Sequence, residues 1–144
     1  MAGDGRALAS LARDALLGEI EAPDIYYSAL MAGTSFLADP RPQASARGAT
    51  AGEVPWMQAV TPETDMVTAV ARAKGTFAQG IKIYANLGWN DVTRIVDELD
   101  RQGYSGYITV HQASAGLGGA EEAARRSSGY LRDIGPFEDR RLPR

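Results

Sequence analysis

The chain has 144 residues and a formal net charge of −3, which suits one globular domain and gives no basic footprint for nucleic acid. It contains no cysteine and a single histidine, His111, so disulfides, cysteine nucleophiles and zinc sites built on several histidines are excluded. No run of about 18 apolar residues is present, and charges interrupt the first twenty residues, so we expect no membrane span, no secretory signal and a cytoplasmic location.

The amino-terminal third predicts one helix, one strand and a long loop. Leucines at helical spacing indicate a helix from about residue 5 to Leu17, with Asp4 as its N-cap and Gly18 as a left-handed end. A strand is expected over residues 25–27, with the start of a short helix as the alternative. Residues 32–60 are rich in Gly, Pro, Ala and Ser, which is typical of a functional or disordered loop, with a short strand at its end over 56–60.

From residue 61 onward the pattern alternates regularly between helices and strands. The predicted elements are a helix starting at Thr61-Pro62-Glu63 and closed by Gly75, a strand over 80–85, a helix capped by Asn90 and ended by Gly103, a strand over 107–112, and a helix over 120–133. This order predicts βα units around a parallel sheet. We therefore predict a single α/β domain over 1–144, with a partial, incomplete TIM-barrel-like sheet, because a full barrel needs about 200 residues or more.

Polar residues follow two of these strands, where parallel α/β folds place their functional groups. Tyr84 and Asn86 follow the strand of GIKIYA, and His111, Gln112 and Ser114 follow the strand of YITVHQ. For His111 two interpretations stay open. It is either a rim residue hydrogen-bonded to a loop carbonyl, or a metal ligand or general base.

Lys82 lies inside the strand of GIKIYA, between two isoleucines. A buried ammonium loses its hydration, so the position is unusual for lysine. One interpretation is a structural lysine whose stem packs while its amine reaches solvent. The other is a reactive amine that forms a Schiff base with a carbonyl substrate, or a carbamate that ligates a metal.

Three stretches resemble the metal-dependent amidohydrolases, in the branch of imidazolonepropionase-like and prolidase-like enzymes. They are MAGDGRALASLARDALLGEIEAPDIYYSALMAG, RGATAGEVPWMQAVTPETD and GIKIYANL, which together run from Met1 to about Leu87. The resemblance implies a TIM barrel with one or two divalent metal ions, zinc first and manganese or iron as alternatives. It also implies that Lys82 matches the family's carbamylated bridging lysine and that His111, in DRQGYSGYITVHQ, matches a histidine ligand on the next strand.

The sequence departs from this family at its other metal ligands. The paired histidines of the first strand, the histidine of the sixth and the aspartate of the eighth have no counterparts here, so we expect an internal slice of roughly the second to fifth βα units. The missing ligands would have to come from another chain or from carboxylates such as Asp24 or Glu53. The expected function is hydrolysis of amide or cyclic amide C–N bonds in a small-molecule substrate, weak or absent in the chain alone.

Two further hypotheses stay open. The stretches WNDVTRIVDELDRQGYSGYITVHQ and EEAARRSSGYLRDIG also resemble the end of a sugar phosphate isomerase/epimerase barrel, in which His111 would replace a glutamate ligand. The third hypothesis is a non-enzymatic α/β domain in which Lys82 and His111 are structural. A partial barrel exposes sheet edges and apolar faces, so we also expect a homo-oligomer or self-association.

Overall fold

The computed structural model describes residues 3–84, 86–111 and 118–135, with the side chains of Val110 and His111 excepted. Its helices are α1 (Gly5–Leu16), α2 (Thr34–Leu37), α3 (Pro40–Ser45), α4 (Met66–Lys74), α5 (Trp89–Arg101) and α6 (Ala120–Ile134). Its strands are β1 (Ser28–Ala32), β2 (Glu53–Val54), β3 (Met57–Ala59), β4 (Gly80–Tyr84) and β5 (Tyr107–His111).

The five strands form one sheet in the order β2-β3-β1-β4-β5. β2 and β3 are antiparallel, and all the other neighbours are parallel. The predicted α/β class is therefore confirmed, with a sheet that is mostly parallel and antiparallel only between β2 and β3. Among the described strands the sheet ends at β2 on one side and β5 on the other, so it is open and does not close into a barrel.

Part of the sheet follows the connectivity of consecutive βα units. β1, β4 and β5 are neighbours in that order, with α4 before β4 and α5 before β5. In a barrel of this type each strand likewise pairs with the next one along the chain. The exception is the segment between β1 and α4, which leaves the sheet, forms two short helices and returns as β2 and β3 on the far side of β1.

Each face of the sheet has its own apolar core. Alternate residues of β1 and β4 pack against α4 and α5 on one face, in a cluster that includes Met31, Ile81, Ile83, Val70, Ile95, Val96 and Leu99. The other face is covered by the segment between β1 and β3, in a cluster that includes Leu30, Leu37, Ala46, Val54, Trp56 and Met57. The predicted apolar face of α5, residues 92, 95, 96 and 99, is confirmed, since all four are buried.

The amino-terminal helix is where the sequence places it, but the first strand is not. The Asp4 carboxylate accepts a hydrogen bond from the backbone N–H of Arg6, and Gly18 has a φ of +72°, so both predicted ends of α1 are confirmed. The strand predicted over 25–27 was wrong, because β1 begins at Ser28. The side chain of Gln79 accepts from the Tyr27 N–H at 3.2 Å, so ladder pairing starts one residue later.

Two predicted helix starts were also wrong. α4 begins at Met66 because Asp65 caps it, while residues 61–64 form a turn in which the Thr64 hydroxyl accepts from the Thr61 N–H. α5 is preceded by Gly88 as N-cap without a side-chain hydrogen bond, and Asn90 lies inside the helix. The loop predicted over 32–60 contains α2, α3, β2 and β3, although the short strand expected at its end is present as β3. Among the described residues, no helix has the length and apolar character needed to cross a bilayer.

Candidate functional site

Lys82 lies at the centre of β4, in the middle of the sheet. Its Cα pairs with Leu30 of β1 and with Thr109 of β5. Its neighbours Ile81 and Ile83 are fully buried on the face that α4 and α5 cover. Lys82 is partly buried, and strand alternation places it on the opposite face, beside Leu30.

On that face the Lys82 side chain lines a pocket of about 240 Å³, here called the Lys82 pocket. Its lining residues are Gly3, Leu30, Phe36, Arg41, Pro42, Ser45, Trp56, Met57, Lys82 and Tyr84. Half of them come from the segment between β1 and β3 that crosses this face of the sheet. The lysine in the strand therefore faces a cavity, and the apolar core lies behind it.

Aromatic rings form the wall of the pocket next to the amine. The rings of Phe36 and Tyr84 are stacked, with centroids 3.8 Å apart and an interplanar angle of 25°. The Nζ atom of Lys82 lies 5.7 Å from the centroid of the Tyr84 ring, within the range of a cation–π contact. The Lys82 ammonium thus lies over the Tyr84 ring, at the carboxyl end of β4.

The two cations of the pocket differ in their partners. Arg41 forms two hydrogen bonds to the carboxylate of Asp39, at 2.9 and 3.1 Å, and these bonds hold the pKa of Asp39 below its usual range. Lys82 forms no hydrogen bond or ion pair with the described residues, and none of the described residues that line the pocket is acidic. The charge of Arg41 is matched inside the chain, and that of Lys82 is not matched within the described part.

Two other polar groups of the pocket wall, on Ser45 and Trp56, are already engaged. The Ser45 hydroxyl donates to the Arg41 carbonyl at 3.1 Å, and the Trp56 indole N–H donates to the Ser45 carbonyl at 3.4 Å. The guanidinium of Arg6 lies 4.7 Å from the centroid of the Trp56 ring, so α1 also packs against this wall. These contacts fix the shape of the pocket and leave the amine of Lys82 as its distinctive donor.

Asn86, a strand-end candidate, has a structural role in the arrangement seen. Its side-chain oxygen accepts from the Gly33 N–H at 3.0 Å, and its amide nitrogen donates to the Gly33 carbonyl at 3.1 Å and to the Ser35 hydroxyl at 2.9 Å. The three bonds tie the chain after β4 to the chain after β1. They hold α2, and with it Phe36, over the pocket.

The candidates on the next strand are described only in part. His111 is the last residue of β5, and its Cα pairs with that of Tyr84, two positions beyond the pair of Lys82 and Thr109. The His111 side chain, Gln112 and Ser114 lie outside the described residues. The backbone therefore places Lys82 and His111 on adjacent strands, two register positions apart.

The carboxylates considered as further metal ligands lie elsewhere. Asp24 is exposed and precedes β1, so it lies toward the amino ends of the parallel strands. Glu53 is exposed on β2, with β3 and β1 between it and β4. In the described ranges, no three His, Cys, Asp or Glu side chains are grouped so that they could hold a metal ion.

Sequence reasoning missed the residues that build the pocket wall. Phe36, Arg41 and Trp56 all fall in the segment predicted as a loop, and they meet Lys82 only through the return of the chain onto the sheet. The available signal was the presence of two large aromatic residues in an otherwise small-residue stretch. Comparison of the chain with models of known protein families, with curated proteins and with solved structures gave no match.

Proposed function

We propose that the chain is a segment of a metal-dependent amidohydrolase, contributing Lys82 and His111 to a metal site that it does not complete. The observation that carries the proposal is the position of Lys82 on a central parallel strand. Its amine faces a pocket on the side opposite α4 and α5, which corresponds to the interior of a barrel. The parallel order of β1, β4 and β5, with β4 joined to β5 through α5, agrees with neighbouring units of such a barrel, although β2 and β3 interrupt the connection from β1 to β4.

The chemistry proposed for Lys82 is carbamate formation. The lone pair of the neutral amine attacks the carbon of carbon dioxide, one C–O π pair moves onto oxygen, and Nζ releases a proton to solvent. The product is an N-carboxylate, which replaces a cation by an anion and offers two oxygens to a metal ion. Carbamate formation would thereby convert Lys82, the cation without an ion-pair partner in the described part of the pocket, into a metal ligand.

The residues present do not fit a complete metal centre. A catalytic zinc site normally has three protein ligands and an open position. A carbamate on Lys82 and the imidazole of His111 provide two, and the described residues around Lys82 add no carboxylate or imidazole. We therefore assign no hydrolytic step to this chain and expect amide or lactam hydrolysis to be weak or absent unless other ligands join the site.

Metal retention tests this proposal. The protein is incubated with bicarbonate and zinc, manganese or iron salts, desalted and analysed for metal, and it is then assayed on a panel of amides and lactams. We expect weak metal retention in the wild type and its loss in Lys82→Arg, which keeps the positive charge but cannot form a carbamate. Equal metal content in the wild type and in Lys82→Arg would contradict the proposal.

The sugar phosphate isomerase/epimerase hypothesis draws on residues 89–135, and no contact among the described residues favours it. It predicts activity on ketose phosphates, so a ketose-phosphate panel assayed beside the amides separates the two.

We also propose that the chain self-associates through β5. This strand pairs only with β4 among the described strands, so its other edge offers unpaired backbone groups, and Tyr107 is 61% exposed there. Light scattering coupled to size exclusion is expected to show a mass that rises with concentration and falls in Tyr107→Lys. A monomer at every concentration would contradict the proposal.

A further inference from the structure

We propose that the Lys82 pocket binds a small planar monocarboxylate with one aromatic ring, whose carboxylate pairs with the Lys82 ammonium while its ring packs against Phe36 and Tyr84. The inference concerns the free amine and needs neither metal nor carbon dioxide. It therefore does not depend on the proposed function, although both use the same side chain.

The charge of the ligand follows from the pairing of the groups in the pocket. A partly buried lysine that has no carboxylate partner offers its ammonium to an entering anion. Within the described part of the chain, Lys82 is in this position, whereas Arg41 is neutralised by Asp39. An entering carboxylate would supply the missing anion through a charge-assisted hydrogen bond.

The pocket also limits the ligand to a single negative charge. A phosphate or dicarboxylate would need a second cation, but Arg41 is already paired with Asp39, and the Ser45 hydroxyl and the Trp56 indole N–H already donate to backbone carbonyls. Since Lys82 is the one cation of the pocket without an ion-pair partner among the described residues, a ligand with one negative charge matches the pocket better than a ligand with two.

The shape and size of the cavity indicate an aromatic body of one ring. The stacked pair of Phe36 and Tyr84 gives a flat wall, and Leu30 and Met57 add apolar surface beside it. A volume of about 240 Å³ lies below the roughly 300 Å³ at which pockets for drug-sized ligands begin. A one-ring acid therefore suits the pocket better than a fused or extended ligand.

The test uses benzoate as the probe and benzamide as its neutral match, with the wild-type protein in metal-free, degassed buffer without bicarbonate. Binding is measured by calorimetry and by the shift of the Trp56 indole N–H signal in NMR spectra. We expect benzoate to bind at least about tenfold more tightly than benzamide, the ratio that one charge-assisted hydrogen bond provides. No benzoate binding, or equal binding of the two probes, would overturn the proposal without any variant being needed.

Three variants and one control then test which side chains bind the carboxylate and the ring of benzoate. Lys82→Met is expected to weaken benzoate binding at least about tenfold, and Lys82→Arg to keep it within about threefold. Phe36→Ala should weaken benzoate and benzamide alike. Arg13→Met, at an exposed arginine outside the pocket, is the matched control and should change neither.

These variants also separate this inference from the proposed function. Lys82→Arg keeps benzoate binding but abolishes carbamate-dependent metal retention, so the two can fail independently. Benzoate binding that persists in Lys82→Met and disappears in Arg41→Met would place the anion on Arg41 and overturn the assignment to Lys82.

Discussion

Replacement of Lys82 by methionine separates a functional lysine from a structural one. The change removes the ammonium and keeps a long unbranched side chain, so packing along β4 is preserved. The interaction lost within the described residues is the contact between Nζ and the Tyr84 ring at 5.7 Å, which is worth about 0.5–1 kcal/mol. The ammonium makes no hydrogen bond or ion pair with the described residues, so the free energy of unfolding is expected to change by less than about 1 kcal/mol.

The adjacent residue provides the matched control. Ile83 is fully buried against α4 and α5, so Ile83→Ala is expected to lower the free energy of unfolding by about 2–5 kcal/mol, whereas Ile83→Met should cost less than about 1.5 kcal/mol. Urea denaturation followed by circular dichroism measures all three variants. A loss of more than about 2 kcal/mol in Lys82→Met would show that the lysine stabilises the fold, and the reasoning would then be refuted.

Three other predictions concern the frame around the site. Gly52→Ala should lower the free energy of unfolding by about 1–3 kcal/mol, because φ is +98° there and a Cβ would lie 2.9 Å from a buried leucine methyl group. Gly88→Ala, in open space at a φ of −71°, should cost less than about 1 kcal/mol in the same urea titration, because alanine there only replaces glycine as the N-cap of α5. Burial raises the pKa of Tyr104 to about 12. Its neutral form therefore contributes stability that is complete below about pH 10 and is lost as the pH rises through 12. An absorbance titration should show one tyrosine that ionises near pH 12, and Tyr104→Phe should remove that step. Asn86→Ala removes three hydrogen bonds to Gly33 and Ser35 and should cost about 1 kcal/mol and raise amide hydrogen exchange after β1; unchanged exchange would contradict the role given to Asn86.

The regular half of the chain was predictable because local signals there agree with tertiary packing. The apolar spacing of α5 specifies the face that is buried, and the Ile81 and Ile83 alternation around Lys82 specifies β4. Helix starts were less predictable, because Thr61 and Asp65 both offer capping side chains and only the tertiary structure selects Asp65. The strand order was not accessible either, since nothing local indicates that β3 returns to pair with β1 on its far side.

Lys82, at the centre of the site, was predictable from the sequence, whereas the residues of the pocket wall were not. Lys82 stood out because a lysine between isoleucines conflicts with burial, and the position of β4 in the sheet then decides which way the amine faces. Phe36 and Arg41 lie about 40 residues before Lys82 in the chain and meet it only in the folded structure. No periodic pattern in the sequence indicates such a contact. The ion pair of Arg41 with Asp39, which leaves Lys82 as the cation without a partner among the described residues, likewise depends on the fold of α3.

The central claim is that the Lys82 amine is a chemically available group facing a pocket, and carbon-13 NMR of the protein in labelled bicarbonate tests it most directly. We expect a carbamate carbonyl signal in the wild type that grows when zinc is added and is missing from Lys82→Arg. Lys74, whose amine donates to the Gln102 carbonyl at 2.7 Å, is the internal control, and Lys74→Arg should keep the signal. A spectrum without a carbamate signal, or one in which Lys74→Arg removes it and Lys82→Arg does not, would contradict the account.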